Sequence, residues 1–406
     1  MRTILTLIIC LMITPLSGIA DAEFRVGGYY KNFSTVFNSP LPDASMVGVV
    51  VNRLRLNLSH APADALSFAL AYDFTPRVQD PLLFSQSPIA VGVASSRYRI
   101  ADLDSPIYPS EEEPVGSVGI YHNLDRAAVQ FSTDFADISV GRDAIAWGSA
   151  RVVNPTDVIA PYTYDQLDTE DRVGVDAIRM RIPVGVMGEV DTGYIFGNNF
   201  DFGKSAVFLR SQLNAAETDF SLLLLEFQEN LLVGLDVARG IGGAGSWLEM
   251  AYVLVKPFDD EPNISDNYFR ASVGLDYSFG GETYAFIEYH FSGAGAKDPE
   301  DFLTNLEQPA YTSGGVYLLG RHYLAPGFTH QLTPLISFSG QMLFNLSDPS
   351  TFIAPQIAYN VAEDIHLSVG GFVSIGKRPK NSDSPQLQSE FGSYPNLFFS
   401  SFRVYF

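Results

Sequence analysis

Residues 268–279, YFRASVGLDYSF, alternate strictly between two kinds of side chain. Phe269, Ala271, Val273, Leu275, Tyr277 and Phe279 fall on one face, and Arg270, Ser272, Gly274, Asp276 and Ser278 on the other. Side chains on a β-strand point to opposite faces in turn, so this run predicts a strand with one apolar and one polar face. Segment 364–376 repeats the pattern, with Ile365, Leu367, Val369, Val373 and Ile375 against His366, Ser368 and Ser374. Segment 64–74 does so again through Leu66, Phe68, Leu70, Tyr72 and Phe74. A soluble sandwich also alternates, but its strands are usually shorter. Runs of about 10–13 residues are long enough to cross a bilayer when tilted. The predicted architecture is therefore all-β, an antiparallel up-and-down transmembrane barrel that alternates lipid-facing and lumen-facing residues.

The N-terminus carries an export signal. Arg2 supplies positive charge, Ile4–Ile13 is apolar, and Ala20-Asp21-Ala22 fits the small-x-small cleavage rule. Residues 1–22 are read as a cleaved signal peptide and 23–406 as the barrel. Cys10, the one cysteine, lies inside the signal, so the mature chain offers no disulfide or thiolate metal site. No other stretch has the roughly 18 apolar residues a membrane helix needs. The net charge of -21 argues against a nucleic-acid partner.

Strands are expected near 24–37, 47–60, 64–75, 124–134, 136–147, 172–183, 186–198, 203–213, 217–228, 230–239, 246–258, 267–279, 282–292, 314–325, 332–346, 351–361, 364–376 and 396–406. That gives about eighteen, with sixteen as the alternative and 96–103 as a stretch that could shift the count. Short turns alternate with longer loops, the longest at 76–123, 148–171, 293–313 and 377–395, with a shorter one at 259–266. One expected turn is Gly327–Leu332. Bacterial barrels place the short turns in the periplasm and the long loops outside.

A barrel of this size leaves an aqueous channel. Arginine facing lipid costs about 2–4 kcal/mol near the midplane, so strand arginines are expected to face the lumen. Arg53, Arg55, Arg126, Arg142, Arg179, Arg181 and Arg210 are predicted to form a basic wall, alongside Arg25 and Lys31. The apolar phase flips near Gly141–Ala144 and again between Ala177 and Ile178. This predicts a paired β-bulge and leaves the direction of Arg142 and Asp143 open. Loop 148–171 holds Asp157, Asp165, Asp168, Glu170 and Asp171. Its carboxylates could oppose the basic wall across a constriction. The plainer alternative is a surface loop whose carboxylates are solvated or bind divalent cations beside lipopolysaccharide. Tyr29, Tyr30, Tyr72, Phe74, Trp147, Tyr194, Phe196, Tyr289, Phe291 and Tyr405 fall near strand ends, where aromatic girdles are expected.

The chain closes on Phe402, Val404 and Phe406 in alternation and stops on an aromatic. This ending resembles the closing strand of Gram-negative outer-membrane proteins, whose terminal Phe the barrel-assembly machinery reads. Residues GRDAIAWGSARVVNPTD and SEFGSYPNLFFSSFRVYF also resemble segments of porin-like barrels. In general porins the third loop folds inward against an arginine wall. The likeness here is in loop order and charge, and the family's glycine-containing loop motif is missing. The resemblance implies a bacterial outer-membrane location, lipid and lipopolysaccharide neighbours, and a homotrimer by analogy. It also implies passive diffusion of small hydrophilic solutes or ions, with no cofactor and no turnover chemistry. Neither HExxH nor GxSxG occurs, so no catalytic residue or metal site is assigned. His290 beside Glu288, or His366 near Asp364, would mimic only part of a catalytic set. Two other roles remain: a sheath around a partner such as a multihaem cytochrome, and a substrate-specific transporter. Strand patterning that starts almost at Glu23 leaves little room for an N-terminal plug.

Overall fold

The computed structural model describes residues 23–38, 46–80, 97–103, 106–109, 116–260, 263–380 and 386–406. The segment 1–22, expected to be a signal peptide, lies outside them. Eighteen strands follow in chain order: β1 (Glu23–Asn38), β2 (Met46–Ala63), β3 (Leu66–Gln79), β4 (Val118–Ser132), β5 (Asp137–Ala144), β6 (Gly174–Val184), β7 (Gly188–Ile195), β8 (Ala206–Ala215), β9 (Thr218–Phe227), β10 (Asn230–Ile241), β11 (Ala244–Leu254), β12 (Tyr268–Phe279), β13 (Thr283–Ser292), β14 (His322–Thr333), β15 (Ile336–Asn345), β16 (Ser350–Ala362), β17 (Ile365–Ile375) and β18 (Asn396–Tyr405). Each pairs antiparallel with its chain neighbours, and β18 pairs with β1, so the sheet closes into a barrel. Closure removes the free edge that lipid would not tolerate. The count is the expected eighteen, not sixteen. The strand-like stretch expected at 96–103 adds no strand to the count over its described residues, 97–103.

The outer surface carries the apolar phase. Val207 and Leu209 on β8, Leu222 and Leu224 on β9, and Val273 and Leu275 on β12 are all exposed. In water such a belt would be a large apolar liability, and in lipid it is solvated. The opposite phase is not uniformly polar. Phe208, Leu223, Leu225, Phe227, Leu232 and Val253 point inward and pack with Val158, Ile159 and Val316 from loops. A second inward cluster holds Val51, Val153, Leu318, Phe352 and Phe391. The barrel thus has a core, because its own loops fold into it.

Three local expectations are corrected. Residues 314–320 are not strand: β14 begins at His322, and Leu318 and Leu319 are buried in the connection 293–321. The turn accordingly lies between Thr333 and Ile336, not at Gly327–Leu332. The phase flip on β5 is real but is not a bulge. Val140 is 41% exposed and Arg142 only 7%, two residues apart. Gly141 between them takes φ +123°, which turns the strand over while β5 and β6 stay in continuous register. The register shift in this region falls between β3 and β4, at Ala71/Tyr72.

Candidate functional site

The link from β5 to β6, residues 145–173, enters the barrel. Its backbone is irregular, so buried N–H groups on it need acceptors supplied from elsewhere. Two carboxylates on the wall supply them. Glu288 on β13 accepts from the backbone nitrogens of Arg151 at 2.7 Å and Val153 at 3.0 Å, and from the Trp247 indole at 3.0 Å. Glu249 on β11 accepts from Thr156 N at 2.8 Å, Thr156 Oγ1 at 2.7 Å and Ala150 N at 3.0 Å. Both are buried. Ser149 adds a hydrogen bond to Asp236, and Ser272 Oγ donates to Val153 O at 2.6 Å. The Arg151 guanidinium meets Asp276 at 2.9 Å and lies over the Trp247 ring.

Glycines make this grip possible. Gly148 has φ +104°, and a Cβ there would stand 2.6 Å from both Glu249 oxygens. Gly274 faces Trp247 across the β11–β12 ladder, and a Cβ there would come 2.2 Å from the indole ring. Without that space Trp247 could not lie flat enough to reach Glu288.

From this anchor the segment crosses the lumen. Val158 and Ile159 join the first apolar cluster, while Val153, Tyr164 and Leu167 join the second. Arg172 folds the base back by pairing with Asp157 and stacking on Tyr162 at 3.9 Å. A cavity of about 320 Å³ lies between this segment and the connection 293–321, lined by Arg97, Tyr98, Tyr162, Tyr311 and Tyr317 among others.

The far end meets β1, β2 and β18. Lys31 on β1 sits in register with Arg403 on β18 and Arg53 on β2, so three cations form one row. Asp168 lies 3.0 Å from Lys31 and 3.3 Å from Arg53. Glu170 lies 2.7 Å from Lys31 and accepts from Tyr405 OH at 2.7 Å. Asp171 accepts from Tyr29 OH at 2.6 Å, with Arg55 at 3.9 Å. Burial pushes the Asp168 carboxyl up, but Lys31 and Arg53 outweigh it and hold it below the ordinary range.

The remaining predicted site residues are spread more widely. Asp157 is buried against Arg172 and does not face the row, and burial pushes its carboxyl above the ordinary carboxylate range. Asp165 is exposed and makes no ion pair among the described residues. The wall arginines are mostly interleaved with acids on the same wall. Arg53 and Arg55 share Asp73, Arg55 and Arg126 share Asp125, Arg142 binds Asp176 at 2.7 Å, and Arg179 binds Asp191 at 2.7 Å. Arg181 stands 4.0 Å from Asp137 at the short-turn end. Arg210 lies opposite Asp191 in the ladder. The wall is thus a lattice of ion pairs more than a bare basic surface. Phe402 and Phe406 are exposed on the outer face, and Phe406 pairs by backbone with Gly28.

Several contributors were not singled out from the sequence: Glu249, Arg99, Asp73, Asp125 and the anchoring role of Glu288. Arg99 comes from residues 97–103, is fully buried, and meets Asp102, Asn123 and Asp125. A carboxylate in the lumen phase of an aromatic-rich strand, as in FIEYHF, is the signal that could have flagged Glu288. Three supposed girdle aromatics face inward instead: Tyr29, Tyr405 and Trp147, the last buried with its indole 3.4 Å from Asp191.

A second inserted segment, 386–395, presents Glu390. It accepts from Leu319 N at 2.8 Å, Asn345 Nδ2 at 2.7 Å and Tyr323 OH, and its own N–H donates to Asp348. Burial, with Asp348 adding to it, pushes the Glu390 carboxyl up to about 7.

No family model matches the chain, and no curated protein matches it in sequence. Solved structures match it in fold. OccAB1 of Acinetobacter baumannii aligns with TM-score 0.55 at 9% identity, over 96% of this chain and 99% of that one. OccK2 (OpdF) of Pseudomonas aeruginosa gives 0.56 at 9%, over 94% and 98%. The outer membrane protein OpdK of P. aeruginosa gives 0.55 at 7%, over 95% and 98%, and has also been solved with vanillate. At these identities the likeness is one of fold: this chain has the architecture of a porin-like outer-membrane barrel.

Proposed function

We propose that the chain is an outer-membrane channel for passive diffusion of small hydrophilic solutes or ions, and that residues 145–173 set its narrowest point. The observation that carries this is the double anchorage of that segment. Glu249 and Glu288 hold it to one wall, and Lys31, Arg53 and Tyr29 hold Asp168 and Asp171 to another. Such a strut narrows the bore and puts opposed charges beside it, which is how a pore selects ions and polar solutes. Asp168, Glu170 and Asp171 are the constriction acids in this reading, with Lys31, Arg53, Arg55 and Arg403 opposite them. Arg126, Arg142, Arg179, Arg181 and Arg210 shape the field along the rest of the wall.

A lumen filled by the chain's own loops leaves poor room for a partner protein, which disfavours the sheath reading. The 320 Å³ cavity is of small-solute size. Since OpdK has been solved with vanillate, small aromatic carboxylates are sensible first solutes to test. We read the barrel as non-enzymatic, and Phe402, Val404 and Phe406 as its assembly signal. The test is single-channel conductance of the refolded mature barrel in a planar bilayer under a salt gradient. Stable openings support the channel. Silence from a correctly folded barrel overturns it.

A further inference from the structure

Four arginines are buried among the described residues: Arg55, Arg99, Arg142 and Arg270. The first three each have a carboxylate oxygen within 3.3 Å. Arg270, on the lumen face of β12 and 2% exposed, has none within ion-pairing distance among the described residues. Its Nε and Nη1 atoms have no hydrogen-bond partner at all.

The residue directly across the ladder from Arg270 is Ser292, the last of β13. Directly paired residues of an antiparallel ladder project to the same face. Ser292 is fully buried, and its Oγ also has no partner. Three orphaned donor atoms therefore belong to one cross-strand pair. A buried guanidinium without a counter-charge is strongly unfavourable, and a buried donor without an acceptor adds to the cost.

The described surroundings do not provide the missing charge. Asp157 is near enough for Arg270 to favour its ionised form, but Asp157 is held by Arg172. Tyr311 and Tyr317, from the connection 293–321, also feel the Arg270 charge. Next along the same face, Ser272 Oγ and His290 Nδ1 bond each other at 2.8 Å. Arg270 thus lies where the two inserted segments, 145–173 and 293–321, converge on the wall. All three free groups can donate, so the chemistry that fits is an acceptor bearing negative charge. The enclosure of both residues restricts it to a small one.

We propose that Arg270 and Ser292 bind a small inorganic anion of halide size, which joins the two inserted segments to the barrel wall. This is a structural ion site, separate from the row at Lys31, and does not depend on what passes through the pore.

The test uses the full mature barrel. Crystals grown in bromide in place of chloride should show an anomalous peak within hydrogen-bonding distance of Arg270 and Ser292. The unfolding midpoint should rise saturably with chloride relative to methanesulfonate at equal ionic strength. Arg270→Met should abolish that difference, and Ser292→Ala should weaken the apparent chloride affinity by roughly tenfold. Water density without a bromide signal overturns the proposal. So do equal midpoints in the two salts, or an undiminished chloride effect in Arg270→Met. If Arg270→Met fails to fold, the bromide experiment on the unaltered protein decides.

Discussion

The carboxylate of Glu288 lies 2.7 Å from the backbone nitrogen of Arg151, 137 residues earlier in the chain. A residue of the wall holds the inserted segment by its main chain. Glu249 does the same one turn further on, at Thr156.

Loosening this grip should show in the current. Glu288→Gln keeps the size but replaces one acceptor oxygen with a donor amide, so it cannot serve Arg151, Val153 and Trp247 together. It should cost about 1–3 kcal/mol of barrel stability and raise open-channel noise. Glu249→Gln should act alike. Because both hold one segment, the double variant should lose less than the sum. Denaturant unfolding and bilayer recording read the two effects, and quiet wild-type-like openings in the double variant would count against a strut.

The row Arg403–Lys31–Arg53 sets a direction for selectivity. Asp168→Asn removes one of the carboxylates that face Lys31 and Arg53 and should move the reversal potential toward anions. Lys31→Met should move it toward cations. Arg179→Ala with Arg181→Ala should have a smaller effect than Lys31→Met, because their ion pairs are with Asp191 and Asp137 on the wall and not with the acids at 168–171. A larger shift from the Arg179/Arg181 pair would place the filter on that wall instead.

Two carboxyls give opposite responses to pH. Glu390 rises from an ordinary value near 4.5 to about 7 on folding. The folded loop therefore holds a proton that the unfolded chain releases. That contribution, roughly 3 kcal/mol, is fully present below pH 4.5 and is lost as pH rises through about 7. Asp168 is depressed, so its contribution is present above its ordinary value near 3.8 and lost as pH falls through the lower folded value. Hydrogen exchange across 386–394 should accelerate between pH 5 and 7.5, after correction for intrinsic rates, and Glu390→Gln should flatten that change. Exchange at 166–171 should accelerate only in stronger acid.

Phe406 offers a split between cell and test tube. Phe406→Ala should lower the amount of barrel assembled in cells several-fold. The same variant refolded in detergent should conduct as wild type. Equal assembly in cells would remove the terminal aromatic as a signal.

The architecture was legible because lipid imposes a strict rule on one face of each strand, and Val273, Leu275 and Leu367 obey it. The other face follows no such rule once loops fold onto it. On β9 the inner residues Leu223, Leu225 and Phe227 are as apolar as the outer Leu222 and Leu224, so no alternation shows, and residues 314–320 imitate a strand because several of them are buried. Loop order and charge suggested acids facing a basic wall, and Asp168, Glu170 and Asp171 do meet Lys31, Arg53, Tyr29 and Tyr405, whereas Asp165 does not. The individual partners were not legible, since Tyr29 and Asp171 are 142 residues apart and nothing local joins them. Tyr29 and Tyr405 looked like interface anchors because the period tells which residues share a face, and an aromatic near a strand end suits either side.

Holding a segment by its amide groups separates its placement from what its side chains do. Every residue except proline carries the N–H that Glu288 and Glu249 require, so a change of side chain at 150–153 alters packing or pairing, as at Arg151 and Val153, and leaves the main-chain anchor in place. The barrel can therefore change what lines its narrowest passage by substitutions in a handful of codons, without redesigning the wall that carries it.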